Sequence, residues 1–281
     1  MSSSTDSLVL LLDPIRNLCR QAGHRILEFY GGKGFATKQD SSPLTAADLA
    51  SHSFLVPALE KLLPGVPVIS EESSDGIADR VSEFSDFWLL DPLDGTKEFL
   101  KGTGEFTVNV ALISARKPRL GVVHAPVLDL TYSGLVGVGA WRAALGELSH
   151  PITTRRADPG RLSVVASKDH AGPLVAAMLE RMPGVVLQSM GSSLKFCLVA
   201  EGKADVYLRD LPTMEWDTAA AQCVVEAAGG AVLELSGLPL PYGKPGLKNP
   251  ALMTVGDLQF DWKSRVGVES GVSLDQAKKT V

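Results

Sequence analysis

The sequence predicts an α/β protein in which helices and sheets form separate layers. Three observations favour this fold class: two amphipathic helical segments come first, short apolar runs separated by turns follow, and strands alternate with helices after about Thr154. We expect residues 1–154 to form a helix pair and a mainly antiparallel sheet, and residues 155–281 to form a smaller α/β layer. Of the 281 residues, 45% are hydrophobic and 21% are charged, as is usual for a folded globular chain.

Two helices are predicted near the start of the chain. From Leu8, apolar residues recur every three or four positions until a Gly-Gly pair at 31–32 ends the pattern. Thr45 is placed to cap a second helix, which Pro64 ends. Pro57 lies inside that helix and predicts a kink.

Short apolar runs between Gly, Pro and charged turns predict the strands. The first part contains VPVIS (66–70), DFWLLD (86–91), TVNVALISA (107–115), RLGVVHAPVL (119–128) and TYSGLVGVGAW (131–141). The second part contains LSVVAS (162–167), GVVLQSM (184–190) and ADVYLR (204–209), alternating with helical stretches at 171–182, 192–201 and 217–228. The polar tail after about Phe260 is predicted to be loosely ordered.

Charge and cysteine usage exclude several classes of function. The formal net charge of −5 argues against nucleic-acid binding. Cys19, Cys197 and Cys223 lie far apart without a CxxC or Cys/His cluster, so neither a disulfide framework nor a zinc site is expected. The start lacks the basic region of a signal peptide, and no apolar stretch approaches the roughly 20 residues of a membrane span. We expect a cytoplasmic protein, with peripheral membrane association left open.

Carboxylates follow or interrupt three predicted elements. Asp91 and Asp94 lie three residues apart in WLLDPLDGTKEFLK (88–101), Glu71 follows a short strand, and Asp217 opens a helix. Burying one unpaired charge costs several kcal/mol, and a second like charge beside it costs more. A hard divalent cation such as Mg²⁺ would compensate them. The alternative for any single aspartate is a solvated turn or a helix cap.

Two separated motifs resemble the signatures of the inositol monophosphatase superfamily of Mg²⁺-dependent, lithium-sensitive phosphatases. WLLDPLDGTKEFLK resembles the first signature, and WDTAAAQCVVEAAGG (216–230) resembles the second. The Ser-Glu-Glu sequence at 70–72 lies at the family's usual distance before the first aspartate. The resemblance extends from about Leu8 to Asp257. It implies the alternating helix and sheet layers of the inositol monophosphatase/fructose-1,6-bisphosphatase-like fold.

The resemblance also implies a role for each matching metal ligand. Glu71, Asp91 and the backbone carbonyl of Leu93 would hold one Mg²⁺, and Asp91, Asp94 and Asp217 would hold a second. A third, weaker ion would lie near Glu71 through water. In such two-metal phosphoryl transfer, one cation activates the attacking water and the other neutralises the leaving oxygen. Residues 1–154 would therefore carry most of the ligands, and the second part would complete the site.

Other matching residues would act on the water and the phosphate. Asp48 and Thr96 match the family's pair that orients or deprotonates the attacking water, so they join Glu71 as catalytic candidates. Gly95 and Thr96 start a helix whose N–H groups would face the phosphate. Leu93 and Asp217 would also contact the substrate.

The segments at 41–52 and 190–209 resemble the bisphosphate nucleotidase branch of the superfamily. Ser192, Ser193 and Lys195 lie at a predicted helix start, where they would take a second phosphate that the metals do not neutralise. Arg209 stands where inositol monophosphatases carry a glutamate, so the chain offers a donor in place of an acceptor. His170 is a further candidate for a phosphate or nucleotide contact.

Each of these substrate candidates has an ordinary structural alternative. The alternative is a solvated helix lysine for Lys195, a surface ion pair with Asp210 or Glu215 for Arg209, and a surface loop residue for His170.

The resulting hypothesis is an Mg²⁺-dependent phosphatase that acts on a small-molecule nucleoside bisphosphate. Its reaction would remove the 3′-phosphate of 3′-phosphoadenosine 5′-phosphate to give AMP, clearing a by-product of sulfate assimilation. Two alternatives stay open: the same chemistry on inositol or fructose phosphates, and a metal-dependent binder of phosphate esters that does not turn them over. The sequence leaves open whether the protein is a monomer or a homodimer.

Overall fold

The computed structural model describes residues 5–31, 46–73, 76–166 and 172–267. The α-helices in these ranges are α1 (Thr5–Leu27), α2 (Ala46–Leu62), α3 (Thr96–Lys101), α4 (Pro173–Glu180), α5 (Leu194–Ala200), α6 (Ala219–Ala227) and α7 (Trp262–Val266). Three short 3₁₀ segments join them: Ile77–Glu83, Glu215–Asp217 and Pro245–Leu247. The predicted cap Thr45 and the substrate candidate His170 lie outside the described residues.

The strands form two large sheets and one small one. The first seven are β1 (Val68–Ser70), β2 (Asp86–Asp94), β3 (Thr107–Ser114), β4 (Lys117–Ala125), β5 (Leu130–Leu135), β6 (Gly139–Ala143) and β7 (His150–Ile152). The remaining strands are β8 (Ser163–Ala166), β9 (Val186–Ser189), β10 (Val206–Arg209), β11 (Thr213–Met214), β12 (Ala231–Glu234), β13 (Lys248–Asn249) and β14 (Leu252–Val255).

The first sheet follows chain order from β1 to β7, and the second has the order β12-β14-β10-β8-β9. All pairs in the first sheet are antiparallel except β1 with β2, so the predicted mainly antiparallel sheet is confirmed. In the second sheet, β8, β9 and β10 run parallel, while β14 is antiparallel to both of its neighbours.

Three apolar clusters show that the elements stack in five alternating layers. Trp88 and Leu90 of β2 pack against α1 and α2, whereas Phe87 and Leu89 point to the other face, where α5 and α6 lie. That second cluster also includes Tyr207 of β10, so α5 and α6 lie between the two sheets. A third cluster packs the far face of the second sheet against α4 and α7. The layered fold class is therefore confirmed.

Two glycines allow α6 to approach the first sheet closely. A Cβ atom on Gly121 of β4 would overlap the carbonyl oxygen of Ala220, and one on Gly134 of β5 would come within 2.7 Å of the Val224 Cα. Protein interiors accommodate little extra volume, so side chains here would push α6 away. Because Asp217 precedes α6 directly, this contact fixes one side of the candidate site.

The structure differs from the sequence prediction at two places. The apolar run at 131–141 is not one strand, because a turn containing Gly137 in the left-handed region, at φ 86°, separates β5 from β6. The chain beyond Phe260 is not loosely ordered as far as Val266, because α7 forms there and Trp262 is buried. The apolar contacts of Trp262 outweigh the polar composition around it.

α2 continues through Pro57 as far as Leu62. None of the helices in the described ranges is both long and apolar enough to cross a membrane. The first sheet ends at Ile152 and the second begins at Ser163. A division of the chain near residue 154 stays a proposal, since one apolar cluster joins both sheets.

Candidate metal centre and phosphate site

Strand pairing brings Glu71 next to Asp91. In the parallel pair, Ser70 of β1 aligns with Leu90 of β2, and the Glu71 N–H donates to the Leu90 carbonyl oxygen at 3.1 Å. The next residue on β2 is Asp91, which is buried and aligned with Asn109 of β3. Side chains alternate along a strand, so Asp91 continues the face of Phe87 and Leu89 toward α6. The two carboxyl groups lie within hydrogen-bonding reach of each other.

One face of α2 joins the same site. The Ser51 hydroxyl donates to the Pro92 carbonyl oxygen at 2.9 Å, and His52 Nδ1 lies 2.9 Å from the Ser70 hydroxyl oxygen. Residues three and four apart share a helix face, so these contacts place Asp48 on the side that faces the carboxylates. Asp48 is buried, and its charge acts on both Glu71 and Asp91.

The DPLDG segment leaves regular strand geometry between the two aspartates. The pairing of β2 with β3 shifts between Asp91 and Asp94, and the Leu93 N–H turns back to donate to Asp91 Oδ1 at 3.0 Å. Gly95 then adopts a left-handed conformation at φ 95°, which glycine reaches without strain, and α3 begins at Thr96. Because the pairing of β2 is interrupted here, the carboxylates of Asp91 and Asp94 and the start of α3 lie on the same side of the sheet edge.

Asp94 connects the first sheet to the second half of the site. Its Oδ2 accepts from the Ser193 N–H at 2.6 Å and lies 2.7 Å from the Ser193 hydroxyl. Asn109 Nδ2 donates to the same carboxylate at 3.3 Å and to the Ser193 hydroxyl oxygen at 2.9 Å. The Ser193 hydroxyl also lies 2.8 Å from the Asp217 carbonyl oxygen, so one serine links both aspartates.

Asp217 lies in the 3₁₀ turn that precedes α6. Its Oδ2 accepts from the Met214 N–H at 2.7 Å, which closes the turn. Glu215 in the same turn is fully buried and forms an ion pair with Lys244 Nζ at 2.8 Å. It also accepts from the Gly243 N–H at 2.7 Å. Glu215 is thus compensated inside the protein, whereas the Asp217 carboxylate faces the other site carboxylates.

The carboxylates raise one another's pKa values. Burial, followed by the charges of Glu71, Asp94, Asp217 and Asp48, holds the pKa of Asp91 well above its ordinary range. Burial and the Asp94 charge raise the pKa of Asp217 to about 8. Glu71 keeps part of its surface open to solvent, yet burial of its carboxyl group and the Asp48 charge raise its pKa to about 7.

These groups fit Mg²⁺ by their chemistry. Among the residues that the structure describes, no three carboxylate, imidazole or thiol groups already enclose a common point. Each of Asp91, Asp94 and Asp217 accepts a backbone N–H, which fixes the position of its carboxylate. The donors are hard oxygens of the kind that Mg²⁺ prefers, and burial together with the neighbouring carboxylates raises the pKa values of Asp91 and Asp217.

A cavity of about 340 Å³ adjoins the carboxylates. Its walls combine the start of α3, the start of α5 and the end of β10, and it is lined by Asp94, Gly95, Thr96, Lys97, Glu98, Ser192, Lys195, Phe196, Tyr207, Arg209, Pro212, Thr213, Asp217, Thr218 and Leu252. The structure thus brings together the predicted phosphate contacts Gly95 and Thr96 with the predicted donors Lys195 and Arg209. Whether they bind substrate stays a prediction.

Lys195 is a buried cation, and the alternative of a solvated helix lysine does not describe it. The side chain is 7% exposed, and its Nζ donates to the Met190 carbonyl oxygen at 3.4 Å and lies 5.8 Å from the centre of the Tyr207 ring. Burial lowers its pKa, which the nearby Asp94 charge partly opposes. Within the described residues Lys195 has no carboxylate within ion-pair distance, so its charge is available to the cavity.

Arg209 is not held in a surface ion pair with either neighbour considered above. The Asp210 carboxylate accepts the N–H groups of Gly172, Leu174 and Val175 at the start of α4. Glu215 is paired with Lys244, and Arg209 Nε donates to the Leu211 carbonyl oxygen at 3.1 Å. The Arg209 side chain also contacts Tyr207 and lines the cavity.

The two serines take different places. Ser193 is turned to Asp94 and Asp217, as described above. Ser192 lines the cavity in a left-handed conformation, at φ 46°, and its buried hydroxyl has no hydrogen-bond partner among the described residues. A non-glycine residue in this conformation is strained. Its unsatisfied hydroxyl is a ready donor for an anion in the cavity.

Sequence reasoning missed Asn109 and the contacts of His52. Asn109 donates to Asp94 and Ser193, and its signal is a polar residue within the apolar strand TVNVALIS. Ser51 and His52 lie three and four residues after Asp48, which is the spacing of one helix face. Their contacts to β2 and β1 hold this face of α2, and with it Asp48, against the first sheet.

Comparisons with known proteins identify the family to which the chain belongs. The sequence model of the inositol monophosphatase family matches residues 7–263, which is most of the chain. The chain belongs to the inositol monophosphatase family. Members of this family are in general Mg²⁺-dependent, in agreement with the donor set of the carboxylate cluster.

Relatives within the family are similar over nearly their whole length. A 3′(2′),5′-bisphosphate nucleotidase CysQ of Escherichia coli strain K12 is 46% identical over 235 residues, covering 83% of this chain and 94% of the relative. The protein of the same name from Haemophilus influenzae is 36% identical over 259 residues, covering 90% and 96%. The crystal structure of CysQ from Bacteroides thetaiotaomicron superimposes with a TM-score of 0.76 at 38% identity, covering 85% of this chain and 94% of that one.

Proposed function

We propose that this protein is an Mg²⁺-dependent phosphatase that removes the 3′-phosphate of adenosine 3′,5′-bisphosphate to give AMP and phosphate. The observation that carries the proposal is that Lys195 and Arg209 line the cavity beside the carboxylate cluster. A substrate with two phosphates needs compensation at both, and this cavity offers it on two sides. Relatives that share up to 46% identity with the chain bear the name of such a nucleotidase.

The carboxylate side of the site would hold the metal. Glu71, Asp91, the Leu93 carbonyl, Asp94 and Asp217 are the groups for it, and two or three ions per site belong to this proposal. Bound Mg²⁺ supplies charge compensation to the reacting phosphate and acidifies water. The chain's own part is to hold the five groups in place, and the hydrogen bonds of Ser193 and Asn109 fix Asp94.

Asp48 and Thr96 would act on the attacking water. Asp48 is buried on α2 and lies close enough to Glu71 to raise its pKa, while Thr96 begins α3 on the cavity wall. A hydroxyl between a carboxylate and a water can orient the water for in-line attack, and the carboxylate can take its proton. The N–H groups of Gly95 and Thr96 would hold the phosphate oxygens.

Lys195, Arg209 and the Ser192 hydroxyl would take the phosphate that does not react. All three are donors, and a dianionic phosphate is an acceptor with three oxygens. An inositol ring presents hydroxyl groups that need acceptors as well as donors, whereas Lys195 and Arg209 are donors only. The buried, uncompensated charge of Lys195 is best explained by a ligand anion.

A comparison of initial rates tests the substrate. With Mg²⁺ present, adenosine 3′,5′-bisphosphate should be hydrolysed with a higher kcat/KM than inositol 1-phosphate or fructose 1,6-bisphosphate. Arg209→Glu should lower kcat/KM for the bisphosphate about ten- to a hundredfold, because a charge-assisted hydrogen bond contributes roughly 1.5–3 kcal/mol. Turnover of inositol monophosphate should stay nearly unchanged or rise, since an acceptor replaces a donor.

Arg20→Glu, on the exposed surface of α1, provides the control with the same charge change. It should leave all three rates near wild type. Equal losses on every substrate in Arg209→Glu would make Arg209 structural and contradict its role in selectivity. A wild-type preference for inositol or fructose phosphate would refute the proposed substrate. If no substrate released phosphate in the presence of Mg²⁺, the protein would instead be a binder of phosphate esters that does not hydrolyse them.

The proposed location is the cytoplasm. Cys19, Cys197 and Cys223 are all free and buried, and none of them forms a disulfide. This use of cysteine fits a reducing compartment.

A further inference from the structure

A second cavity, of about 440 Å³, lies at the opposite end of the strands that lead to the phosphate site. β8, β9 and β10 run parallel, and β10 ends at Arg209 in the phosphate cavity. The second cavity is lined at the amino ends of the same strands by Ser163, Val186 and Asp205. The two cavities share no lining residue.

Cationic side chains dominate this second cavity. Arg155, Arg156, Arg161 and Lys203 line it, against the two carboxylates of Asp158 and Asp205. The chain as a whole carries a formal net charge of −5, so this local excess of positive charge runs against its average. Gln188 and Ser163 add neutral polar groups to the wall.

Asp205 is already compensated and fixes one of the arginines. It is 1% exposed and accepts from Arg155 Nε at 2.7 Å and from a terminal Arg155 nitrogen at 2.8 Å. The Ser163 N–H donates to the same carboxylate at 2.7 Å. This two-point pairing orders Arg155, whose other terminal nitrogen makes no hydrogen bond within the described residues. The Arg155 guanidinium is therefore preorganised, and it would lose little conformational entropy on binding an anion.

Asp158 also has hydrogen-bond partners, which lie in the turn that it begins. Its carboxylate accepts from the Gly160 N–H at 2.9 Å, and its carbonyl oxygen accepts from the Arg161 N–H at 3.0 Å. Neither Arg156 nor Arg161 has a carboxylate within ion-pair distance among the described residues, although the charge of Arg156 reaches Asp257 through space. These two exposed arginines supply the uncompensated charge.

Lys203 shares its carboxylate with other groups. Its Nζ lies 3.1 Å from Glu201, which also accepts from the Tyr132 hydroxyl at 2.9 Å and lies 3.5 Å from Arg142 Nε. The ammonium remains 58% exposed at the cavity. Glu201 has enough partners to stay compensated when Lys203 also binds an anion.

We propose that this cavity is a second anion-binding site, separate from the metal centre, for a tetrahedral oxyanion. Phosphate or sulfate, free or as the ester group of a small molecule, has the geometry that guanidinium groups bind through paired hydrogen bonds. The site needs no metal, because its charge comes from arginine and lysine. It is therefore distinguishable from the phosphate cavity, whose neighbouring carboxylates repel anions until a cation is bound.

Titration calorimetry with sodium sulfate tests the proposal, in EDTA and at ionic strength held constant with sodium chloride. The wild-type protein should show saturable binding. Arg156→Ala/Arg161→Ala should weaken it about tenfold, since each exposed charge-assisted contact contributes modestly. Arg20→Ala/Lys61→Ala removes two exposed positive charges from α1 and α2 and should leave the affinity unchanged. All four side chains are exposed, so circular dichroism and thermal melting should match wild type in both variants.

Equal weakening in the two double variants would overturn the proposal, since it would reflect net charge alone, and so would the absence of saturable binding in the wild type. Lys195→Met separates the cavities: retained sulfate binding supports a second site, and lost binding assigns sulfate to the phosphate cavity. Repeating the titration with inorganic phosphate and with AMP shows whether the site takes a free oxyanion or a phosphate ester. AMP binding that the Arg156/Arg161 variant weakens assigns an ester, and phosphate binding without AMP binding assigns the free ion.

Discussion

The two sides of the phosphate cavity carry opposite charges: carboxylates gather on one side, and a lysine and an arginine lie on the other. On the first sheet and α2, Asp48, Glu71 and Asp91 face one another, and burial together with their mutual repulsion raises the pKa values of Glu71 and Asp91. On the second sheet and α5, Lys195 is buried with no carboxylate of the described residues within ion-pair distance, and Arg209 lines the same cavity. Opposite charges within one protein could have been paired directly. The proposed function accounts for this separation, because a cation would bind on one side and an anion on the other.

Ser193 connects the two sides of the phosphate cavity through hydrogen bonds. Its N–H and hydroxyl contact Asp94 of β2, and its hydroxyl also contacts the Asp217 carbonyl before α6. Ser192, one residue earlier, lines the cavity with Lys195. The position of the donors is therefore coupled to the position of the carboxylates. Changes on either side should have different effects, which three experiments would measure.

The largest effect is expected on the carboxylate side. Asp217→Asn or Asp91→Asn should lower kcat roughly a thousandfold or more, because a metal ligand and a partner of the transition-state charge disappear together. The loss should be the same for adenosine 3′,5′-bisphosphate and inositol 1-phosphate, since the metal side acts on the reacting phosphate of either. Far-UV circular dichroism should stay at wild type, and near-wild-type turnover in either variant would refute the metal assignment.

A second effect concerns the stability of the metal-free protein. The pKa of Asp217 is about 8 in the folded protein, against an ordinary value of 3.8. Between these values the folded state holds more protons than the unfolded state, so the free energy of unfolding falls as pH rises. For each extra proton that the folded state holds, the free energy of unfolding falls by about 1.4 kcal/mol per pH unit. In EDTA, the melting temperature should therefore be lower near pH 8 than near pH 5.

Two comparisons sharpen this stability prediction. Asp217→Asn should reduce the difference in melting temperature between the two pH values, because the replacement cannot ionise. Adding Mg²⁺ should stabilise the wild type more near pH 8 than near pH 5, since protons compete with the cation for the same carboxylates. A metal-free protein that melts at the same or a higher temperature near pH 8 would contradict the prediction.

The smallest effect is expected on the donor side, and it should be selective. Lys195→Met keeps the length and packing of the side chain but removes its charge. It should lower kcat/KM for adenosine 3′,5′-bisphosphate about ten- to a hundredfold and leave that for inositol 1-phosphate within a few-fold of wild type. Lys61→Met, exposed at the end of α2, is the control with the same substitution. Loss of both activities together would show that Lys195 supports the carboxylate side and that the two sides are not separable.

The local sequence determined much of this protein. Apolar alternation placed Phe87 and Leu89 on one face of a strand and Trp88 and Leu90 on the other, and the next position on the first face is Asp91. The DPLDG turn needs only short-range effects, a proline, an N–H that turns back to Asp91, and a glycine at φ 95°. Contacts between residues this close in sequence depend little on the rest of the fold.

Only the tertiary structure decided which of these groups meet. The hydrogen bonds from Ser193 to Asp94 join residues 99 positions apart, and the parallel pairing of β1 with β2 sets Glu71 beside Asp91. The burial of Lys195 and the formation of α7 also come from packing that local composition does not encode. A residue's sequence neighbours fix its backbone preferences, whereas its burial and its charged partners depend on elements that arrive from distant parts of the chain.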